Sequence, residues 1–93
     1  MTKVAIIDDD DAVRKTISTV LSASGVDVEA FDSASNFLDS ARIEDFQVML
    51  VDEDMPGMTG KKLFDLVKSR NIKFPKFILM SGAFSNEELA SAH

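Results

Sequence analysis

Two short apolar runs, Val4-Ala5-Ile6-Ile7 and Val48-Met49-Leu50-Val51, each stop on a carboxylate, Asp8 in the first and Asp52 in the second. Unbroken apolar runs of this length, closed by turn residues, read as strands buried on both faces. After Asp52 the chain breaks at Met55-Pro56-Gly57 before a helix-compatible stretch starts at Thr59. In open parallel α/β sheets ligands bind at the carboxyl edge of the strands. Asp52 is therefore a site candidate on pattern alone, set against the plainer reading of an Asp that merely opens a turn. A further acid, Asp54, lies two residues on, and four acids, Asp8 to Asp11, close the earlier run.

The rest of the chain alternates around these strands. Val13, Ile17, Val20 and Leu21 recur at spacings of three and four, which predicts an amphipathic helix over 12–24, with Asp11 as N-cap and Gly25 as its left-handed stop. Residues 26–31 alternate apolar and polar, the pattern of a strand near the sheet edge. Ser33 is placed to cap a short helix carrying Phe37, Leu38 and Ala41. The second run extends over 46–52, and Leu63, Phe64, Leu66 and Val67 mark a third helix reaching about Arg70. Phe77 to Met80 is a fourth strand ending at Ser81-Gly82, and Ser85-Asn86-Glu87-Glu88 has the form of a capping box that opens a fourth helix. Strand and helix thus alternate four times, which predicts a doubly wound parallel sheet with right-handed crossovers. Ninety-three residues, 45% of them hydrophobic, suit a single globular domain over 1–93.

Parallel strands would bring Asp8, Asp9, Asp52, Asp54 and Ser81 to one edge. Adjacent carboxylates repel one another unless a cation or a helix start offsets their charge. With no Cys in the chain and its one His at the terminus, this donor set suits a hard divalent cation of the magnesium type. Beside such an ion Asp52 can act as nucleophile toward a phosphoryl group, forming an acyl phosphate, while Ser81 offers a hydroxyl to the phosphoryl oxygens. The plainer reading of Asp8 and Asp9 is a solvated acidic loop. A net charge of −6 argues against nucleic acid or an anionic membrane as a direct partner. The apolar runs are too short to cross a bilayer and Lys3 is not followed by a secretory core, so the expected location is cytoplasmic.

Three segments in order, Val4-Ala5-Ile6-Ile7-Asp8-Asp9, Asp52-x-x-Met55-Pro56-x-Met58-x-Gly60, and Leu79-Met80-Ser81-Gly82-Ala83, are similar to those of the receiver domain of bacterial two-component response regulators. The resemblance runs from Lys3 to His93. It implies a flavodoxin-like fold with strand order 2-1-3-4 and Mg2+ or Mn2+ at the carboxyl edge. Asp52 is then the phosphoacceptor for a histidine kinase. Asp9 is the direct ligand of the acidic pair, Asp8 acts through water, and Asp54 lends its backbone carbonyl. Ser81, Gly82 and Ala83 form the phosphate-binding and switch segment, and Met55, Pro56 and Gly60 the active loop. Such a domain is no enzyme beyond catalysing its own phosphorylation and dephosphorylation. The segments around Val13-Arg14-Lys15 and from Phe31 to Leu38 also resemble receivers joined to helix-turn-helix outputs.

The sequence departs from the family in one respect. Receivers continue through a fifth strand that begins with a phosphate-binding lysine, and then a fifth helix, and neither has a counterpart here. Lys3, Lys61, Lys62 and Lys76 are all poorly placed to substitute. The expected domain is thus a truncated receiver without its fifth β/α unit, with parts of Ile17, Leu21, Ile78 and Met80 facing water. A homo-oligomer covering the fourth strand is the expected remedy. Two other readings stay open: a non-phosphorylated interaction module that keeps the fold and lacks the switch, and a magnesium-dependent phosphatase of the aspartyl-phosphate type. Against the second, the Asp-x-Asp pair here closes the third strand rather than the first.

Overall fold

The alternation of strand and helix is realised as a four-stranded parallel sheet of order 2-1-3-4, as the sequence leads one to expect. The computed structural model describes residues 2–70 and 75–80. Its elements are Lys3–Ile7 (β1), Asp11–Ala23 (α1), Asp27–Phe31 (β2), Ala34–Ser40 (α2), a 3-10 turn at Ile43–Asp45, Val48–Asp52 (β3), Gly60–Ser69 (α3) and Lys76–Met80 (β4). The capping-box helix expected from Ser85, the switch segment Ser81 to Ala83, and His93 lie outside the described residues.

Register explains why β1 reads as an unbroken apolar run. It is central, paired to β2 on one side and to β3 on the other, and Val4, Ala5, Ile6 and Ile7 are all buried. Ala5 and Ile7 face a core built with Met49 and Val51 of β3, Phe37 of α2, and Leu63 and Val67 of α3. Each large apolar side chain withdrawn from water in this way contributes about 1.5–3 kcal/mol. Phe31, Phe37 and Phe46 close one end of that core, with ring centroids 5.1 to 6.3 Å apart. Val4 and Ile6 point to the opposite face, where α1 packs across β1 and β2.

That second face is the less covered of the two. Among the described residues α1 has no buried side chain, Val20 is 60% exposed, and Ile78 of β4, level with Leu50, is 40% exposed; Leu79, next along β4, is 40% exposed on the opposite face, beside Gly60 of α3. Ile17, Leu21 and Met80, expected to be partly wet, are half-buried. β2, expected near an edge, is at one, and only Phe31 of its residues is buried.

Helix boundaries follow local chemistry. Ser33 and Thr59 cap α2 and α3 through their hydroxyls, which accept from Asn36 N at 3.0 Å and Lys62 N at 3.2 Å. Gly25, with φ of 84°, follows α1 as the left-handed residue. The N-cap of α1 is Asp10 rather than Asp11. Asp10 has the extended backbone a cap requires and its Oδ1 accepts from Ala12 N and Val13 N, at 2.8 and 3.1 Å, so Asp11 becomes the first helical residue. β3 begins at Val48 rather than Phe46, because Phe46 ends the 3-10 turn and donates its N–H to the Ile43 carbonyl.

Candidate functional site

Parallel pairing sets β1 and β3 side by side with Ile7 opposite Val51, so Asp8 and Asp52 emerge together at the carboxyl edge. Asp8, Asp9 and Asp52 each present a carboxylate oxygen within 4.8 Å of the others. These acids, 43 residues apart in sequence between Asp9 and Asp52, converge because both strands end at the same level. Asp8 is buried, Asp52 half-buried and Asp9 exposed, so the cluster opens from the sheet edge into solvent. It lies in a hollow of about 450 Å³ that Asp10, Val13, Asp54 and Met80 also line.

Backbone contacts orient the side chains. Asp8 Oδ1 accepts from Asp10 N at 2.9 Å, and Asp52 Oδ1 accepts from Asp54 N at 3.1 Å, each a turn closed two residues on. Asp54 is not among the three convergent carboxylates; it enters through its main chain and as part of the wall. The loop after Asp52 is tied at both ends: Gly60 N donates to the Glu53 carbonyl at 3.3 Å, and Glu53 N to the Met80 carbonyl at 2.8 Å. Within it Met55 is buried in the core, Met58 packs against it, Pro56 is exposed, and Gly57 takes a φ of 86°. Gly60 itself is buried.

The electrostatics express the crowding. Burial pushes the Asp52 carboxyl above its ordinary range; the Asp54 N–H offsets part of this, while the charges of Asp8 and Asp9 and a hydrogen bond with Asp9 push further up. Three oxygen donors, with neither imidazole nor thiolate among them, make a set that fits a hard divalent cation, and such an ion would offset both the burial and the neighbouring charges that hold Asp52 up.

One contact at this edge carries no sequence signal. Arg14, one turn into α1, donates from Nη1 to the Asp8 carbonyl at 2.7 Å and pairs through Nη2 with Asp11. The spacing of Asp11 and Arg14 foretells the ion pair. The carbonyl contact depends on how α1 leaves β1.

The model of the response regulator receiver domain matches residues 4–93. The chain belongs to this family. The receiver domain is 34% identical over 79 residues to the transcriptional regulatory protein FixJ of Bradyrhizobium diazoefficiens, covering 85% of this chain and 38% of that protein. It is 32% identical to the DNA-binding transcriptional regulator NtrC of Klebsiella pneumoniae, covering 80% of this chain and 16% of the relative. The chain thus spans well under half the length of these curated relatives. Among solved structures, the chemotaxis response regulator CheY4 of Vibrio cholerae superposes with a TM-score of 0.78 at 29% identity, over 95% of this chain and 74% of that one. A FixJ N-terminal structure superposes with a TM-score of 0.73 over 99% of this chain and 90% of that one; its 23% identity speaks to the fold alone.

Proposed function

We propose that this receiver domain accepts a phosphoryl group from a histidine kinase onto Asp52 in a magnesium-dependent reaction. The observation that carries the reading is the meeting of the Asp8, Asp9 and Asp52 carboxylates at the end of β1 and β3. Asp8, Asp9 and Asp52 would hold Mg2+ or Mn2+, with Asp54 adding its backbone carbonyl. The ion supplies positive charge against the incoming phosphoryl oxygens. Asp54 N–H occupies one oxygen of Asp52 and leaves the other to attack phosphorus. The new bond joins that oxygen to phosphorus, the bond from phosphorus to the donor imidazole breaks, and the imidazole leaves with its electron pair. Burial of Asp8 and the packing of Met55 keep the floor of the site fixed while the exposed Asp9 side stays open to the donor.

On this reading the domain is a phosphoacceptor rather than an enzyme, acting at most on its own phosphorylation state. Ser81, Gly82 and Ala83 complete the switch. Its setting is the cytoplasm; no helix among the described residues is long and apolar enough to cross a membrane. Relatives named as transcriptional regulators favour a transcriptional output partner. The apolar exposure of Ile78 and Leu79, on a strand paired only with β3 among the described residues, favours a second copy of the chain along β4. Sedimentation equilibrium at high micromolar concentration checks this: a monodisperse monomer contradicts it.

The phosphoacceptor reading is tested by incubating the protein with Mg2+ and a small acyl phosphate and reading its intact mass. One added phosphoryl group, absent in Asp52→Asn and absent without the metal, is the expected result. An unmodified mass identifies an interaction module that keeps the fold without the chemistry. Turnover of a generic phosphate ester points instead to a phosphatase.

A further inference from the structure

Asp8 is restrained at each of its polar groups. Its N–H donates to the Phe31 carbonyl at 3.1 Å, continuing the β1–β2 ladder, and its Oδ1 accepts from Asp10 N at 2.9 Å. Its carbonyl is taken by Arg14 Nη1 at 2.7 Å. The first two contacts follow from the strand and the turn. The third is made by a side chain six residues on that reaches back from α1, and Nη2 of the same guanidinium meets Asp11. Arg14 is only 19% exposed at its side chain, on a helix none of whose residues is buried. A planar fork that bonds two groups at once holds both in a fixed relation, which an ammonium does not.

We propose that Arg14 is a positioning residue for the cation site, acting through the Asp8 carbonyl to hold the β1–α1 turn so that Asp8 and Asp9 stay aimed at the same point as Asp52. This rests on the reading of the three carboxylates as a cation site. The charge of Arg14 alone would have the opposite effect. A guanidinium beside an acidic cluster repels an incoming divalent ion, so its removal should tighten binding if electrostatics were its only contribution. If it positions the turn, removal leaves the Asp8 carbonyl without its donor, lets the turn move, and weakens binding. The sign of the change therefore separates the two roles.

The test compares wild type with Arg14→Met, which keeps the stem and loses the fork. Mg2+ alone is titrated calorimetrically, and amide hydrogen exchange at Asp10 is followed in the metal-free protein. The expected result is Mg2+ binding weakened about tenfold, the low end of what outer-shell partners contribute, with Asp10 exchange several-fold faster. Unchanged or tighter binding, or a lowered melting temperature with unchanged binding, overturns the proposal, as does unchanged Asp10 exchange. If Arg14→Met does not fold, Arg14→Lys is read in the same way, with a smaller loss expected and no loss overturning. A wild-type chain that takes up no Mg2+ overturns the cation reading and this one together. Wild-type binding matched by the variant overturns the role of Arg14 alone.

Discussion

Gly60 lies against the main chain of Asp52 so closely that a Cβ at Gly60 would meet the Asp52 carbonyl oxygen at 2.7 Å. The first residue of α3 is thus packed onto the strand end that carries the proposed phosphoacceptor. The same Cβ would also meet Leu79 Cδ2 at 2.7 Å. The Leu79 methyl is the tip of a side chain and can turn aside, whereas the carbonyl belongs to the β3 main chain. Gly60→Ala is expected to destabilise the domain by about 1–3 kcal/mol. Adding Leu79→Ala should recover only part of the loss in denaturant unfolding; full recovery would place the conflict at Leu79 instead.

The raised Asp52 carboxyl has a defined consequence for stability. Because its pKa is higher in the folded than in the unfolded chain, the folded state binds protons more readily there, and stability falls as pH rises through the carboxylate range. Asp52→Asn removes this penalty. In metal-free buffer at neutral pH the variant should melt about 2–4 °C higher than wild type, solvent screening at this half-buried site holding the gain to on the order of 0.5 kcal/mol. The difference should vanish well below the ordinary Asp pKa. Equal melting temperatures across the whole range mean that neither burial nor the neighbouring charges penalise the Asp52 carboxylate.

Magnesium should reverse the advantage of Asp52→Asn over wild type, because that variant lacks one of the three charged donors. At a concentration tenfold above its dissociation constant, an ion bound only by the folded state stabilises by about 1.4 kcal/mol. Wild type should gain this amount, and Asp9→Asn, which keeps the shape and removes one charged donor, should gain little. Thermal scans with and without Mg2+ check it, and an equal gain in both proteins rules out Asp9 as a ligand.

The unequal faces of the sheet predict unequal sensitivity to truncation. Phe37 is fully buried and stacks edge-on to Phe31 with centroids 5.1 Å apart, so Phe37→Ala should cost about 3–5 kcal/mol. Val20, on the wetter face, is 60% exposed, and Val20→Ala should change stability by less than about 0.5 kcal/mol. Chemical denaturation of the two variants gives the comparison directly.

The parts of this molecule legible in its sequence are those in which a pattern maps onto one geometry. An unbroken apolar run bounded by acids has few outcomes other than a central strand, which is why the pattern alone places Asp8, Asp9 and Asp52 together. Asp10 and Asp11 are chemically alike, and choosing the cap between them needs the backbone conformation, which neighbouring residue types do not determine. The 3-10 turn at Ile43–Asp45 has too few residues to show a period, so Phe46 reads as strand although it ends that turn. Arg14 is hidden for another reason: its partner is a carbonyl, which every residue possesses and no sequence distinguishes. The wetting of Ile17, Leu21, Ile78 and Met80 is foreseen only through the family resemblance; that Val20 is wetter still depends on what packs over α1, a property of tertiary arrangement rather than of that segment.

Anomalous scattering from a crystal soaked in Mn2+ decides whether Asp8, Asp9 and Asp52 share one ion, because it locates the ion rather than its effects. A single strong peak is expected, bounded by the carboxylates of Asp8, Asp9 and Asp52 beside the Asp54 main chain. Density elsewhere on the surface, or none at the carboxyl edge under conditions that saturate binding in solution, would contradict a shared ion there.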